Sequence, residues 1–330
     1  MSNRNPLDYS INKPLSSGYN PIKYIFKDII LYVCLLSILI FGLAMLYSSS
    51  GQSISMVIRQ SVYIFSGLIL MTFISHQKPD SYKNLLMHSY WIGLFLLVYV
   101  LLFPASGYST SRWIDLGFLS FQPSEIIRLI LPLSLIAYLC RKESPVQLLD
   151  WFYTTLAAFI CSFLVFKQPD LGTSIIVLTS GLIPIYLAGL PYKIIIAYLG
   201  LALVSAPFIW ANLLDYQKQR VLTYFDSNVD PLGDGWNIAQ SKTAIGSGGF
   251  FGKGYLEGTQ SQLNFIPESH SDFIFSVVGE EFGLLGIGLL FFVYAIIIWR
   301  IFKIGFAAQS NFERLACSSL GFIFLLFILI

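Results

Sequence analysis

Charge is scarce in this chain. Only 12% of its 330 residues are Asp, Glu, Lys or Arg, against about 25% in an average soluble domain. Apolar types make up 55%, and the mean hydropathy is +0.69. Such a chain cannot solvate its own surface, so an ordinary soluble globule is excluded and most of the surface is expected to face lipid. Histidine is scarce too, and His76, His88 and His270 are too scattered for a metal-ligand cluster. The four cysteines, Cys34, Cys140, Cys161 and Cys317, show neither CxxC spacing nor His partners, and they read as small core residues. There is no internal repeat and no low-complexity linker. No cleaved leader is expected: residues 1–27 are polar, carry Lys13, Lys23 and Lys27, and precede no small-residue cleavage site.

What is present is a series of long apolar runs. About 20 apolar residues suffice to span a bilayer as a helix, and nine runs approach or exceed that length: 28–48, 55–75, 86–104, 123–140, 151–167, 171–190, 193–213, 272–299 and 312–330. The expected fold is all-α, a polytopic transmembrane helix bundle. Residues 1–27 form an N-terminal tail, and 28–330 form one membrane domain that includes a long loop, 214–271.

Lys and Arg in short loops set the orientation. One side collects Arg4, Lys13, Lys23, Lys27, Lys78, Lys83, Arg141, Lys142, Lys193, Arg300, Lys303 and Arg314. The short loops of the other side hold only Arg112 and Lys167. This places the N-terminus in the cytoplasm and turns the loops around 105–122, 167–171 and 214–271 outward. The long loop contains GDGWNIAQSKTAIGSGGFFGKGYLEG, whose apolar residues suggest re-entrant or surface-lying segments, with a folded connector as the alternative.

Ionisable groups in or beside the spans need a reason, because charge in lipid is costly. In TSRWIDLGFLSFQPSEIIR, Pro123 suits the first position of a helix. Glu125 and Arg128 then share a face at i and i+3, either as an internal ion pair or as the charged wall of an outward cavity. Arg112 lies just before them at the outer surface, where a guanidinium can hold a phosphate with two bonds. In KQPDLGTS, Gln168 and Asp170 read as caps of a helix starting near Leu171. The long loop adds Lys218, Arg220, Lys242 and Lys253. Its GSGGFFGKG resembles a phosphate-cradling loop but lacks the GxxxxGK[ST] spacing.

The densest cluster is NFIPESHSDFIFSVVGEEFG, which brings Glu268, His270, Asp272, Glu280 and Glu281 into one apolar stretch. Ser269 and Asp272 match a capping box at the start of a helix. Glu280 and Glu281 would lie about 12 Å further along that helix, facing the bundle and paired with Arg128 or Arg59. A carboxylate at the outer interface, near basic groups and an apolar groove, can act as general base on a sugar hydroxyl. Desolvation raises the pKa of such a group and helix-end N–H groups lower it, which leaves the net direction open.

SRWIDLGFLSFQPSE, KQPDLGTS, RVLTYFDSNVDPLGDGWNIAQSKTAIGSGGFFGKG, GTQSQLNFIPESHSDFIF and GEEFGLLG resemble, in matching order over 28–330, the SEDS proteins of shape, elongation, division and sporulation. KQPDLGT and GTQSQL look more like the rod-shape branch than the division branch. The resemblance implies a glycosyltransferase that polymerises lipid II into peptidoglycan outside the cytoplasmic membrane, with undecaprenyl pyrophosphate as leaving group. The family's essential Asp falls on Asp272 of PESHSDF, the base for the GlcNAc 4-hydroxyl, with Ser271 in place of the usual Thr. QPSE falls on residues 122–125, and Arg128 stands where the family usually has Lys. Glu268 and His270 would shape the site. Arg112, Lys242 and Arg220 are the candidates for pyrophosphate contacts, and Glu125 and Arg128 complete the expected substrate-binding set. A divalent cation, magnesium or manganese, could help neutralise the pyrophosphate, although no ligand set is dedicated to it.

The family also implies lipid II and the growing lipid-linked glycan as substrates, with a class B penicillin-binding protein and other membrane proteins of the elongation complex as partners. No nucleic acid is expected. The location would be the bacterial cytoplasmic membrane. The family has ten spans and a late Pro/Gly/Ser-rich segment. The sequence stops inside the ninth run, so the C-terminal part is expected to be missing. Two rival readings stay open. A lipid flippase or transporter would use Glu125, Arg128, Glu280 and Glu281 as gating groups, whereas a scaffold for the transpeptidase would tolerate loss of Asp272.

Overall fold

The computed structural model describes residues 28–77, 79–103, 112–115, 120–142, 146–226, 229–230, 233–262 and 269–329. The tail 1–27, Lys78 and Glu268 lie outside the described residues. Each of the nine apolar runs becomes a helix. These are α1 (Ile29–Ser49), α2 (Ile54–Ser75), α3 (Pro79–Leu102), α4 (Pro123–Leu139), α5 (Leu148–Lys167), α6 (Leu171–Leu187), α7 (Tyr192–Asn212), α11 (Ile274–Ala307) and α12 (Asn311–Leu329). Seven helical stretches, Tyr82–Leu102 of α3 among them, are long and apolar enough to cross a membrane, and α6 is a shorter apolar helix. Before α4, two short strands, β1 (Ile114–Asp115) and β2 (Ser120–Phe121), pair antiparallel, with Ile114 opposite Phe121.

The long loop is largely folded. It holds α8 (Asp215–Phe225), α9 (Asp234–Ser247) and the single turn α10 (Thr259–Gln262). α9 packs against α11.

Local chemistry explains the helix starts. Asp28 caps α1 by accepting from the Leu31 N–H at 3.1 Å, and Asp170 caps α6 through the Thr173 N–H at 3.1 Å. Pro123 opens α4 after an extended Gln122, where its missing N–H costs nothing.

One core forms where α3, α4, α5 and α6 meet, around Leu97, Ile127, Leu131, Trp151, Cys161 and Val177. Small residues let these helices approach closely, as is usual in lipid. A Cβ on Gly181 of α6 would stand 2.7 Å from the Cβ of Ala158 on α5. A second cluster, Ile136, Ala137, Phe312 and Ala316, joins α12 to α4. A third joins α1 to α11 through Met45, Val277 and Val278. α2 and α7 bury no residue, so their apolar side chains are left for lipid.

α11 departs from the expected straight helix. Its 34 residues contain a break at Gly283, which has φ 63° and ψ −162°. Unbroken, they would run about 51 Å, well beyond the roughly 30 Å hydrocarbon core. The break splits the helix into a short piece, 274–282, and a longer one, 284–307.

Candidate active site

A helix break leaves carbonyls and N–H groups without helical partners, and buried polar groups of that kind must find others. The glycine loop between α9 and α10 supplies them. Lys253 N–H donates to the Glu280 carbonyl and Gly254 N–H to the Glu281 carbonyl, each at 3.0 Å. In return, Leu284 N–H donates to Gly249 O at 3.0 Å and Leu285 N–H to Phe250 O at 3.1 Å. The amides of Lys253 and Gly254, which a phosphate cradle would need, are therefore spent on α11.

The acidic pair next to the break also differs from expectation. Glu280 and Glu281 are buried, at 0% and 1% exposure, but they do not pair with Arg128 or Arg59. The Glu280 carboxylate takes Lys253 Nζ at 2.7 Å, and Ser48 Oγ of α1 donates to Glu281. Arg59 lies exposed on α2 and donates through Nε to the Tyr63 hydroxyl at 3.2 Å. Arg128 pairs within α4 with Glu125, as expected from their spacing, and lies 4.4 Å from the Phe327 ring centre. Lys253 was visible in the sequence as a loop cation, but its partner was not. The glycines flanking GEEFG were the one signal of a break in α11.

Asp272 lies in the turn 269–273, exposed, immediately ahead of α11. The capping box does not form: the helix starts at Ile274 after Phe273, with no side-chain cap. The Ser269 hydroxyl instead donates to the Ser49 carbonyl of α1 at 3.0 Å. The hydroxyls of Ser241 on α9 and Ser276 on α11 are also hydrogen-bonded. Tyr255 adds a further tie, its hydroxyl donating to Ala44 O at 2.9 Å. Burial, followed by the charge of Glu281, pushes the Tyr255 phenol up. The turn that carries Asp272 is thus fixed to α1, while its own carboxylate stays accessible. His270 and Ser271 share that exposed turn.

A second polar group forms between β2, α4 and α6. Arg112 Nε donates to Gln168 O at 3.0 Å, and Arg112 also donates to Pro169 O. Its Nη1 lies 3.4 Å from Asp170 Oδ2, and Gln122 Nε2 lies 3.4 Å from the same oxygen. Asp170 therefore caps α6 as expected. Gln168 does not cap α6; it is the C-cap residue of α5, its N–H donating to Val165 O at 3.0 Å, while its fully buried side chain donates through Nε2 to Leu97 O at 3.0 Å. Arg112 is engaged by the turn between α5 and α6. Arg220 on α8 and Lys242 on α9 are exposed. Among the described residues no group of three or more His, Cys, Asp or Glu is placed to hold a metal ion.

These features define a multi-pass helical membrane protein with an accessible carboxylate held at one end of its bundle. The chain belongs to the FtsW/RodA/SpoVE family of cell cycle proteins, whose model matches residues 28–330. It is 40% identical over 317 residues to the peptidoglycan glycosyltransferase MrdB of Escherichia coli K12, covering 94% of this chain and 86% of the relative. It is 34% identical to a probable peptidoglycan glycosyltransferase FtsW of Buchnera aphidicola, covering 79% and 75%. Among solved structures, a chain of a peptidoglycan synthase complex that coordinates polymerization and crosslinking superposes with a TM-score of 0.75 at 28% identity, covering 89% and 82%. The rod shape determining protein RodA of Thermus thermophilus superposes at 0.64 with 24% identity, covering 91% and 82%, and shares the fold.

Proposed function

We propose that this chain is a peptidoglycan glycosyltransferase of cell elongation that polymerises lipid II at the outer face of the cytoplasmic membrane, with its N-terminus inside. Its family and its 40% identity to MrdB support the reaction class. The observation that carries the site is Asp272: an exposed carboxylate in a short turn tied to α1, at the head of a transmembrane helix. In this reading Asp272 removes the proton from the acceptor GlcNAc 4-hydroxyl. The freed oxygen bonds to the anomeric carbon of the lipid-linked glycan, and the bond from that carbon to undecaprenyl pyrophosphate breaks. Holding the hydroxyl near a fixed base lowers the barrier, because orientation removes entropy from it.

His270 would orient the acceptor from the same turn. Exposed Lys242 and Arg220 would meet the pyrophosphate by charge, whereas Arg112, with Glu125 and Arg128, would shape the outer wall. A magnesium or manganese ion would enter with the pyrophosphate. A class B penicillin-binding protein is the proposed partner, within a larger set of elongation-complex membrane proteins. The protein donors on Glu280 hold it in place, which argues against a gating role for that residue in transport.

The test is polymerisation of lipid II by the purified protein with its cognate transpeptidase, the crosslinking step blocked by a β-lactam. Wild type should make glycan strands and a stably folded Asp272→Asn variant should make none. Strands from both would remove Asp272 from the chemistry.

A further inference from the structure

We propose that Glu280 is a positioning residue that holds Asp272 in place by tying, through its carboxylate, the helical piece that directly follows the Asp272 turn to Lys253 and the start of α10; this rests on the reading of Asp272 as the base. Glu280 Oε1 accepts from Lys253 Nζ at 2.7 Å, from Thr259 Oγ1 at 3.0 Å and from the Gln260 N–H at 2.9 Å. Lys253 Nζ donates in turn to Thr259 Oγ1 at 2.7 Å. Thr259 and Gln260 begin α10, and the turn 269–273 that carries Asp272 leads directly into α11, the helix that carries Glu280. One carboxylate thus ties the helix entered from the Asp272 turn to Lys253 and the start of α10.

The tie is selective. A buried carboxylate left unpaired is strongly destabilising, so Glu280 accepts only an arrangement that brings Lys253 and the start of α10 to it. An apolar contact would bury the same area without fixing direction. The rigid piece 274–282 links Glu280 to the turn, and the Ser269 bond to Ser49 sets the other side. Asp272 needs no contact with Glu280 for its place to depend on it. A base displaced by about 1 Å loses about 100-fold in rate.

Glu280→Gln keeps an acceptor for Thr259 and Gln260 but removes the charge that draws Lys253. Its kcat for glycan synthesis should fall about 100-fold, with KM for lipid II within about twofold of wild type. Amide hydrogen exchange over 259–262 and 269–273 should quicken about tenfold while α3 to α6 keep their protection. Thr259→Val is a second, milder probe, because Thr259 is exposed and its loss leaves Lys253 in place. It should show the same pattern at smaller size, and it decides the matter if Glu280→Gln does not fold. Unchanged exchange over 259–262 and 269–273 would overturn the proposal, as would quickened exchange with undiminished kcat. Asp272→Asn is measured alongside. If it is fully active, the base reading falls and the proposal with it. If it is inactive while Glu280→Gln works normally, only the positioning role falls.

Discussion

Gly252 lies so close to α11 that a Cβ atom on it would stand 2.1 Å from the carbonyl oxygen of Glu281. The loop backbone enters the break at Gly283 so closely that only glycine fits. Gly252 also has φ +84°, a region where side chains are strained. Gly252→Ala should therefore destabilise the protein by about 1–3 kcal/mol. Gly246 is the control: it is helical in α9, and a Cβ added there would meet nothing within 4 Å. Gly246→Ala should be neutral or stabilising by up to about 1 kcal/mol. Thermal unfolding in detergent compares the two, and equal midpoints would refute the close fit.

Arg112 and Asp170 should act as one unit. The guanidinium holds two carbonyls of the turn and faces the carboxylate that caps α6. Lysine cannot reproduce that fork, so Arg112→Lys should lower the midpoint almost as far as Arg112→Gln. In a double-mutant cycle with Asp170→Asn, the coupling should be about 0.5–3 kcal/mol. Additive effects would mean that Arg112 is free for substrate alone.

At the other end of the bundle, Asp28 has two tasks. It caps α1 and accepts from Arg300 Nε of α11, at 3.0 Å to Oδ1 and 2.9 Å to Oδ2. Asn is as good a cap as Asp, so Asp28→Asn loses the ion pair alone. Asp28→Ala loses both and should be less stable than Asp28→Asn by about 1 kcal/mol. The comparison needs only two unfolding curves, and equal stability would remove the cap from the account.

Chelation should separate substrate from scaffold. With no three-ligand acidic or His cluster among the described residues, EDTA should leave the unfolding midpoint of the free protein unchanged. Loss of glycan synthesis on chelation, restored by magnesium or manganese, would place the ion with the pyrophosphate. A drop in the midpoint would reveal a site on the protein.

The membrane bundle was legible in the sequence because lipid demands it. A run such as 193–213 has one stable form in hydrocarbon, a helix that satisfies its own backbone. Asp170 and Pro123 were legible for a similar local reason, since each acts on backbone groups within one turn. Lys253 and Glu280 were not: 27 residues separate them, and nothing local says which cation a buried carboxylate will meet. Arg128 was equally plausible by charge, but Glu125 three residues away takes it first.

The resemblance to a known family singled out Asp272, whereas composition and pattern alone settled the solvent this protein lives in and the places where its apolar helices run. Those follow from short-range rules: backbone satisfaction in lipid, helix caps, and periodicity within one run. The tertiary structure decided the break at Gly283, the capture of its backbone by the glycine loop, and the partners of Glu280 and Glu281. Each of those depends on which distant segments come into contact. In a low-dielectric interior, that choice determines whether a buried charge is tolerated.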